Sequence, residues 1–289
     1  MEGISRIPRV IIMEVVKVCV VKAGNIGSAP LLELLLDERA DRSDIDVRVI
    51  SSGAKLNPEQ AEEIAEKVFD FKPDLVLVVS PNAALPGPSK IREVMAKAGV
   101  PTISITDAPG KRAREDIEGK NQGYIIVNAD AMIGARREFL DPVEMAIFNA
   151  DVIRVLAITG AFSVIYREID KVIDAIKKGA TPELPRIVVD KDVAVGAAGF
   201  SNPYAKAKAI AAYEAASKVA DLNVEGCFKI QDSEKYIPII AAAHELMRQA
   251  ARLADEAREL EKSGDTILRM PHRKSGEIAS KRKLLEKPA

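Results

Sequence analysis

Residues 124–151 read YIIVNADAMIGARREFLDPVEMAIFNAD. The stretch opens as a short apolar strand, Tyr124 to Val127. It then breaks into Asn128, Ala129, Asp130, Ala131, Met132, Ile133, Gly134 and Ala135, which are small or neutral apart from one carboxylate. A charged cluster follows, Arg136, Arg137 and Glu138, and then Leu140, Asp141 and Pro142. Asp141 suits a helix N-cap and Pro142 the first helical position. Before this stretch strand and helix patterns alternate; after it the pattern is nearly all helical. A polar, glycine-containing segment at such a junction is where an α/β protein can place a binding crevice, although a solvated linker reads the same way.

Working back from this junction, four further apolar runs predict strands: Val15 to Val21, Asp46 to Ile50, Asp74 to Val79 and Thr102 to Ile105. Lys22-Ala23-Gly24-Asn25-Ile26-Gly27-Ser28 leaves the first and leads into a leucine-rich helix. Glycine lets a backbone approach a ligand, and the helix start offers free N–H groups to an anion; a tight turn without a ligand would look alike. Ser51-Ser52-Gly53 leaves the second strand, with Lys55 beyond, where an NAD-binding domain usually carries an acid. The third exit, Ser80 to Ser89, holds Pro81, Pro86 and Pro88, which stiffen it. The fourth is Thr106-Asp107-Ala108-Pro109-Gly110. Five small or neutral exits on one edge of a parallel sheet predict a ligand cleft there.

Forward from the junction, helices are expected over Pro142 to Ala157 and Val164 to Lys178, with a break near Gly160. Asn202-Pro203 opens another to about Ala220, and Asp232 or Ser233 a long one to about Lys262. Ile187 to Val189 is a short strand or an extended connection. The fold class is therefore α/β: a parallel-sheet, Rossmann-like domain over 13–140, then a mostly helical part over 141–289, with 1–12 as an extension ahead of Met13. Alanine stripes on the last two helices suggest contact with another subunit. The basic tail from Met270 reads as a solvated arm.

Composition excludes several classes. In 289 residues, 42 Lys and Arg face 43 Asp and Glu for a net charge of −1, and only 4% are aromatic with no Trp, so nothing favours nucleic acid. No apolar run approaches the ~20 residues that span a bilayer. Cys19 fits a small core residue, and two distant cysteines make no disulfide framework, which suits a cytoplasmic protein. His244 lies on an apolar helical stripe and His272 in the tail, and no metal-ligand spacing or hydrolase elbow is present. An enzyme built this way works chiefly by positioning a cofactor and a substrate.

The segments AGNIG (23–27), PNAALPGPSK (81–90), TDAPG (106–110), DAMIGARREFLDPVEMAIFNAD (130–151), NPYAKAKAIAA (202–212), VEGCF (224–228), AAAHELMRQAARLADEARELEKS (241–263) and SKRK (280–283) closely resemble the coenzyme F-420-dependent methylenetetrahydromethanopterin dehydrogenases of methanogenic and sulfate-reducing archaea. The resemblance runs from about Val15 to the C-terminus. It implies a homohexamer built as a trimer of dimers, and reversible hydride transfer between the deazaflavin coenzyme and the one-carbon unit on tetrahydromethanopterin. That reaction serves methanogenesis or its reverse, without metal, flavin or NAD. An NAD(P)-dependent dehydrogenase of a pterin-type substrate and a non-enzymatic ligand-binding scaffold are the alternatives.

On this reading the deazaflavin lies along the first three exits: Gly24, Asn25, Ile26 and Gly27; Ser51, Ser52 and Gly53; Ser80, Pro81, Asn82, Ala83, Pro86 and Gly87. Replacing Gly27 with Val should then raise the cofactor KM with the fold intact. The pterin meets Asn128, Ala129, Met132, Gly134, Ala135, Arg136 and Arg137, with Lys262. Lys22, Lys55 and the SKRK tail are further cations for the ligands' anionic ends. Asp107, Asp130 and Glu138 are candidates for electrostatic stabilisation of the methenyl cation, with no obligatory acid/base step.

Overall fold

A computed structural model describes residues 15–37 and 42–289. The expected extension and the start at Met13 lie outside the described residues. The chain runs β1 (Val16–Lys22), α1 (Ser28–Asp37), β2 (Ile45–Ser51), α2 (Pro58–Phe71), β3 (Leu75–Ser80), α3 (Pro86–Lys97) and β4 (Thr102–Asp107). A 3-10 turn (Ala108–Ala113) and α4 (Arg114–Gly119) lead to β5 (Gly123–Val127). Then come α5 (Pro142–Thr159), α6 (Ala161–Lys177), β6 (Arg186–Val189), α7 (Lys191–Ala198) and α8 (Pro203–Val224). A π-helical turn (Glu225–Lys229) and α9 (Ser233–Ser263) follow.

All strands pair in parallel, in the order β2-β1-β3-β4-β5-β6. Right-handed crossovers therefore bring every carboxyl end to one edge. Alternation along β1 shows the layering. Val18 and Val20 join the core under α1, α5 and α6, whereas Cys19 and Val21 face Ala61, Ile64 and Val68 of α2. With both faces covered, near-continuous apolar strands are what the sheet demands. The strand-or-connection segment at 187–189 is β6, paired to β5 from Tyr124↔Arg186 to Val127↔Val189. One apolar cluster continues from the sheet through α5 and α6 into α8 and α9.

The caps follow the sequence. Asp141 accepts N–H bonds from Val143 and Glu144 at 2.7 and 2.8 Å, and Asn57, Asn202 and Asp232 cap α2, α8 and α9 in the same way. The α5–α6 break falls on Gly160, at φ 96°, where α7 crosses so closely that a Cβ would lie 2.1 Å from the Ala194 carbonyl oxygen. Only glycine meets both demands.

Two expectations need correction. The alanine stripes do not face outward: Ala205, Ala209, Ala212 and Ala216 of α8 and Ala243, Ala250, Ala254 and Ala257 of α9 are buried, and these two helices pack on each other. The C-terminal tail is not a solvated arm. It doubles back through bridges Arg269↔Lys281 and His272↔Ile278. Its Lys274 carbonyl accepts from Ser43 N, and His272 Nε2 lies 2.6 Å from Asp170 Oδ2. Arg42, itself buried, joins Asp44 and Asp170, so several polar partners share the cost of burying charge. Arg282 donates to the Gly199 and Thr266 carbonyls and is thereby occupied structurally. Among the described residues no single helix is long and apolar enough to cross a membrane.

Candidate active-site crevice

The strand exits reach one edge, but they are not equally open. The β1 and β2 exits close on each other. Gly24 N donates to the Gly53 carbonyl at 3.1 Å, and a Cβ on Gly24 would meet Leu56 and Pro81 at 2.8 Å. The Ser51–Lys55 turn satisfies itself: Gly53 N donates to Ser51 Oγ and Ser52 Oγ to the Lys55 carbonyl. Lys55 is exposed and Lys22 half-buried. Asn25 bonds Asn149 of α5 at 3.3 Å, and Ile26 is a core residue.

Asp130 closes this corner. It is fully buried, and its two oxygens accept the Gly27 and Ser28 N–H groups at 2.6 and 3.0 Å. Burial pushes its carboxyl up to about 6, against the lowering effect of the Ser28 and Gly27 hydrogen bonds. The anion at the start of α1 is therefore supplied by the protein's own β5 exit. This corrects two expectations: Asp130 acts as a cap on α1, and Gly27 is shut away behind it. A Cβ on Gly27 would lie 2.5 Å from Val152 Cγ1 and 2.9 Å from Asp130 Oδ1. Gly27→Val is accordingly expected to destabilise the protein by about 1–3 kcal/mol through overpacking. Thermal unfolding checks this; an unchanged Tm with a raised cofactor KM would return the loop to ligand contact.

The open part of the edge lies over β3, β4 and β5. There a crevice of ≈ 880 Å³ runs between the exits and the end of α8. Its sheet-side wall is Leu56, Pro81, Asn82, Leu85, Asp107 to Pro109 and Met132, and the facing wall is Ser217, Ala220, Asp221, Asn223 to Glu225, Phe228 and Lys229. The wall is stiff. Ala83 N donates to Thr106 Oγ1 at 3.0 Å, and the buried guanidinium of Arg92 holds the Ala83 carbonyl at 2.7 Å. Pro86 and Gly87 start α3, where Gly87 packs on the Leu56 backbone with no room for a side chain. Asn223 of α8 donates to the Met132 carbonyl at 2.7 Å and so fixes the two walls to each other. Gly134 lies under Asn223 and Ile240.

Asp107 is 2% exposed yet lines the crevice, with its carboxylate accepting Ala108 N–H at 2.6 Å. Burial first, and then the neighbouring Asp130 and Asp221, push its carboxyl well above the ordinary range, while the Ala108 N–H and Lys111 pull the other way. Several polar atoms at this edge have no partner among the described residues: Ser80 Oγ, Asn128 Oδ1 and Asn223 Oδ1. Buried polar atoms in native proteins are rarely orphaned, so these mark places for a ligand or water.

The remaining expected residues scatter. Ala129 is buried, Ala135 and Arg137 are exposed, and Arg136 stacks on the Tyr236 ring at 3.9 Å. Glu138 is exposed; its own backbone N–H, then the Tyr236 hydroxyl, hold its carboxyl below the usual range. Lys262 sits in the last turn of α9 beside Glu259, 26 residues beyond Tyr236 and so roughly 39 Å along the axis at about 1.5 Å per residue. It does not reach this crevice within the chain. Sequence reading missed Lys111, Arg112, Asp221, Asn223, Phe228 and Lys229 of the lining. The first two directly follow the quoted TDAPG exit, which was the available signal. Asp221 and Asn223 belong to the far end of α8, which runs past its expected end near Ala220, and Phe228 and Lys229 to the π-helical turn that continues it. Among the described residues no group of three or more His, Cys, Asp or Glu could hold a metal.

Against known proteins, residues 16–289 match the family described as methylene-5,6,7,8-tetrahydromethanopterin dehydrogenase. The chain is 62% identical to the F420-dependent methylenetetrahydromethanopterin dehydrogenase of Archaeoglobus fulgidus, over 95% of this chain and 99% of that one. It is 58% identical to the Methanothermobacter thermautotrophicus enzyme of the same name, with the same coverage. It also superposes, with a TM-score of 0.92 and 49% identity over 96% of this chain and 100% of the other, on a solved F420 dependent methylene-tetrahydromethanopterin dehydrogenase in complex with methylene-tetrahydromethanopterin and coenzyme F420.

Proposed function

The chain belongs to the methylene-5,6,7,8-tetrahydromethanopterin dehydrogenase family, and on that premise we propose that the crevice beside Asp107 is where it transfers a hydride, reversibly, between coenzyme F-420 and the one-carbon unit of tetrahydromethanopterin. The carrying observation is the coincidence of three features: the open carboxyl edge, a mostly apolar crevice, and a buried carboxyl group facing it. When bound, the 8-hydroxy-5-deazaflavin supplies a carbon-centred hydride carrier.

The residues fit both reactants. Leu56, Pro81, Leu85, Pro109 and Met132 offer apolar surface to flat rings and displace water from between them. Two rings held face to face need no nucleophile, so the chain's contribution is position and electrostatics. Lys111, Arg112 and Lys229 at the crevice, with Arg136 and Arg137 a few residues past the lining Met132, supply cations for phosphate and carboxylate tails. Asn82 and Asn223 orient polar ring edges. Asp107, once ionised, opposes the charge of the methenyl cation.

The test uses coenzyme reduced with deuterium at its transferring carbon. Cofactor absorbance should change on adding methenyl-tetrahydromethanopterin, and the deuterium should arrive in the methylene product. Reaction with NADPH instead, or solvent hydrogen in the product, would refute the reading.

A cytoplasmic homo-oligomer, a hexamer arranged as a trimer of dimers, forms part of the same proposal. Support comes from α5, which is apolar around most of its circumference but buries only one side. Val143 and Ile147 are 67% and 38% exposed, and with Ala146 and Ala150 they share one helical face. Changing Val143 and Ile147 together to Glu should shift sedimentation toward smaller species with the fold retained. An unaltered sedimentation coefficient would exclude this face.

A further inference from the structure

The crevice contains one side chain whose exposure has no explanation within the folded chain. Phe228 is 65% exposed, in a protein with 7 Phe, 5 Tyr and no Trp, and it is the single aromatic residue in the crevice lining. Its backbone is not a loose loop. Residues 225–229 continue α8 as a π-helical turn closed by Ile230 N donating to the Glu225 carbonyl at 3.2 Å. Such turns are uncommon and concentrate at functional sites.

Three contacts fix the turn on the protein. A Cβ on Gly226 would lie 2.7 Å from Ile240 Cγ1, so the turn rests directly on α9. Cys227 is half-buried and turns toward the Ala135 backbone. Arg136, stacked on Tyr236, reaches the Ile230 carbonyl at 3.5 Å. With residues 226 and 227 turned inward, the widened turn presents Phe228 on the crevice side, opposite Pro81, Leu85 and Pro109. A mobile tip would let an apolar ring fold away from water; a fixed one keeps it presented.

We propose that Phe228 is a ring-stacking residue: its phenyl face packs on the planar heteroaromatic ring of one bound reactant and aligns that ring for hydride transfer. This rests on the functional reading above and names a positioning residue within it. Aromatic faces attract conjugated rings through offset stacking as well as through apolar area. The deazaflavin and the pterin share that chemistry, and the kinetics separate them.

The experiment compares Phe228→Ala, Phe228→Leu and Phe228→Tyr in the whole 289-residue chain, after the unsubstituted chain has shown deazaflavin-dependent turnover. That prior measurement keeps failure of the functional reading distinct from failure of this one. Phe228→Ala should raise the KM of the stacked reactant about 10- to 100-fold, in line with alanine substitutions at base-stacking aromatics. Phe228→Leu should recover part of the loss and Phe228→Tyr nearly all. If the deazaflavin is the stacked ring, the quenching of its fluorescence on binding should weaken in Phe228→Ala; if the pterin is, its KM alone should rise. Thermal unfolding and sedimentation should not change, because the ring is mostly exposed. Unchanged KM values for both reactants would overturn the proposal. So would a loss in Phe228→Ala matched by a fall in Tm or a change in sedimentation, which would make Phe228 a structural or subunit-contact residue.

Discussion

Asp107→Asn is expected to lower kcat about 10- to 1000-fold, about 1.4 to 4 kcal/mol, the range for loss of one preorganised electrostatic group. Of the three carboxylates singled out from the sequence, Asp107 lines the crevice. Asparagine keeps its size and can still accept the Ala108 N–H bond, so the loss isolates the charge. The pH dependence has a definite sign. With its carboxyl held well above the ordinary range, Asp107 gains charge only as pH rises through that raised value, so kcat/KM for the methenyl cation should climb with pH there. Stability runs the other way. A raised carboxyl contributes stability that is complete below the unfolded pKa and lost as pH rises through the folded one. Asp107→Asn should flatten both trends and, at the alkaline end, unfold at a Tm no lower than the wild type. A residue that costs stability where it supplies charge is placed for function. Complete loss of turnover, with both reactants still bound, would instead assign it an obligatory chemical step.

Asp130→Ala should do the opposite: unfold early and retain activity. It leaves the Gly27 and Ser28 N–H groups without acceptors in a site sealed from water. Each orphaned buried donor costs about 1–3 kcal/mol, so the two together should cost about 2–6 kcal/mol. At roughly 2–4 °C per kcal/mol for a chain somewhat smaller than this, Tm should fall by about 4–24 °C. Asn in its place keeps one acceptor but turns an NH2 toward a backbone donor, and should fall between. The carboxyl, raised to about 6, contributes stability fully below about 4, its ordinary range, and loses it as pH rises through 6. Asp130→Ala removes that pH dependence. A hundredfold fall in kcat with Tm unchanged would transfer the counter-charge role to Asp130.

These two aspartates show what sequence carries and what it does not. Both stand at strand ends, Asp107 closing β4 and Asp130 just after β5, and an anion beside a helix start reads alike whether a ligand or the chain supplies it. Deciding between them takes the contact of Asp130 with residues 27 and 28, over 100 positions away. Local signals were legible. The caps Asn57, Asp141, Asn202 and Asp232 and the break at Gly160 act within one turn of helix, and each of the first five strands is announced by its own apolar run. The four-residue β6 has a run too short to separate a strand from an extended connection, and it becomes a strand because β5 offers it an edge. Likewise Pro81, Asn82, Asp107 and Met132 could be found by following strands to their ends, whereas Asn223 and Phe228 enter the crevice only because α8 packs over the sheet edge. The tail read as solvated from its charge, since its partners Ser43, Asp170 and Lys177 are remote in sequence.

The most direct measurement is an experimental structure of this chain with coenzyme F-420 and methenyl-tetrahydromethanopterin bound together. Both rings should lie in the crevice between Pro81–Leu85 and the end of α8, with the methenyl carbon on the side of Asp107 and an aromatic face of Phe228 against one ring. Rings seated instead at the opposite edge of the sheet, in the groove between residues 96–101 and 181–187, or anywhere out of reach of Asp107, would contradict it.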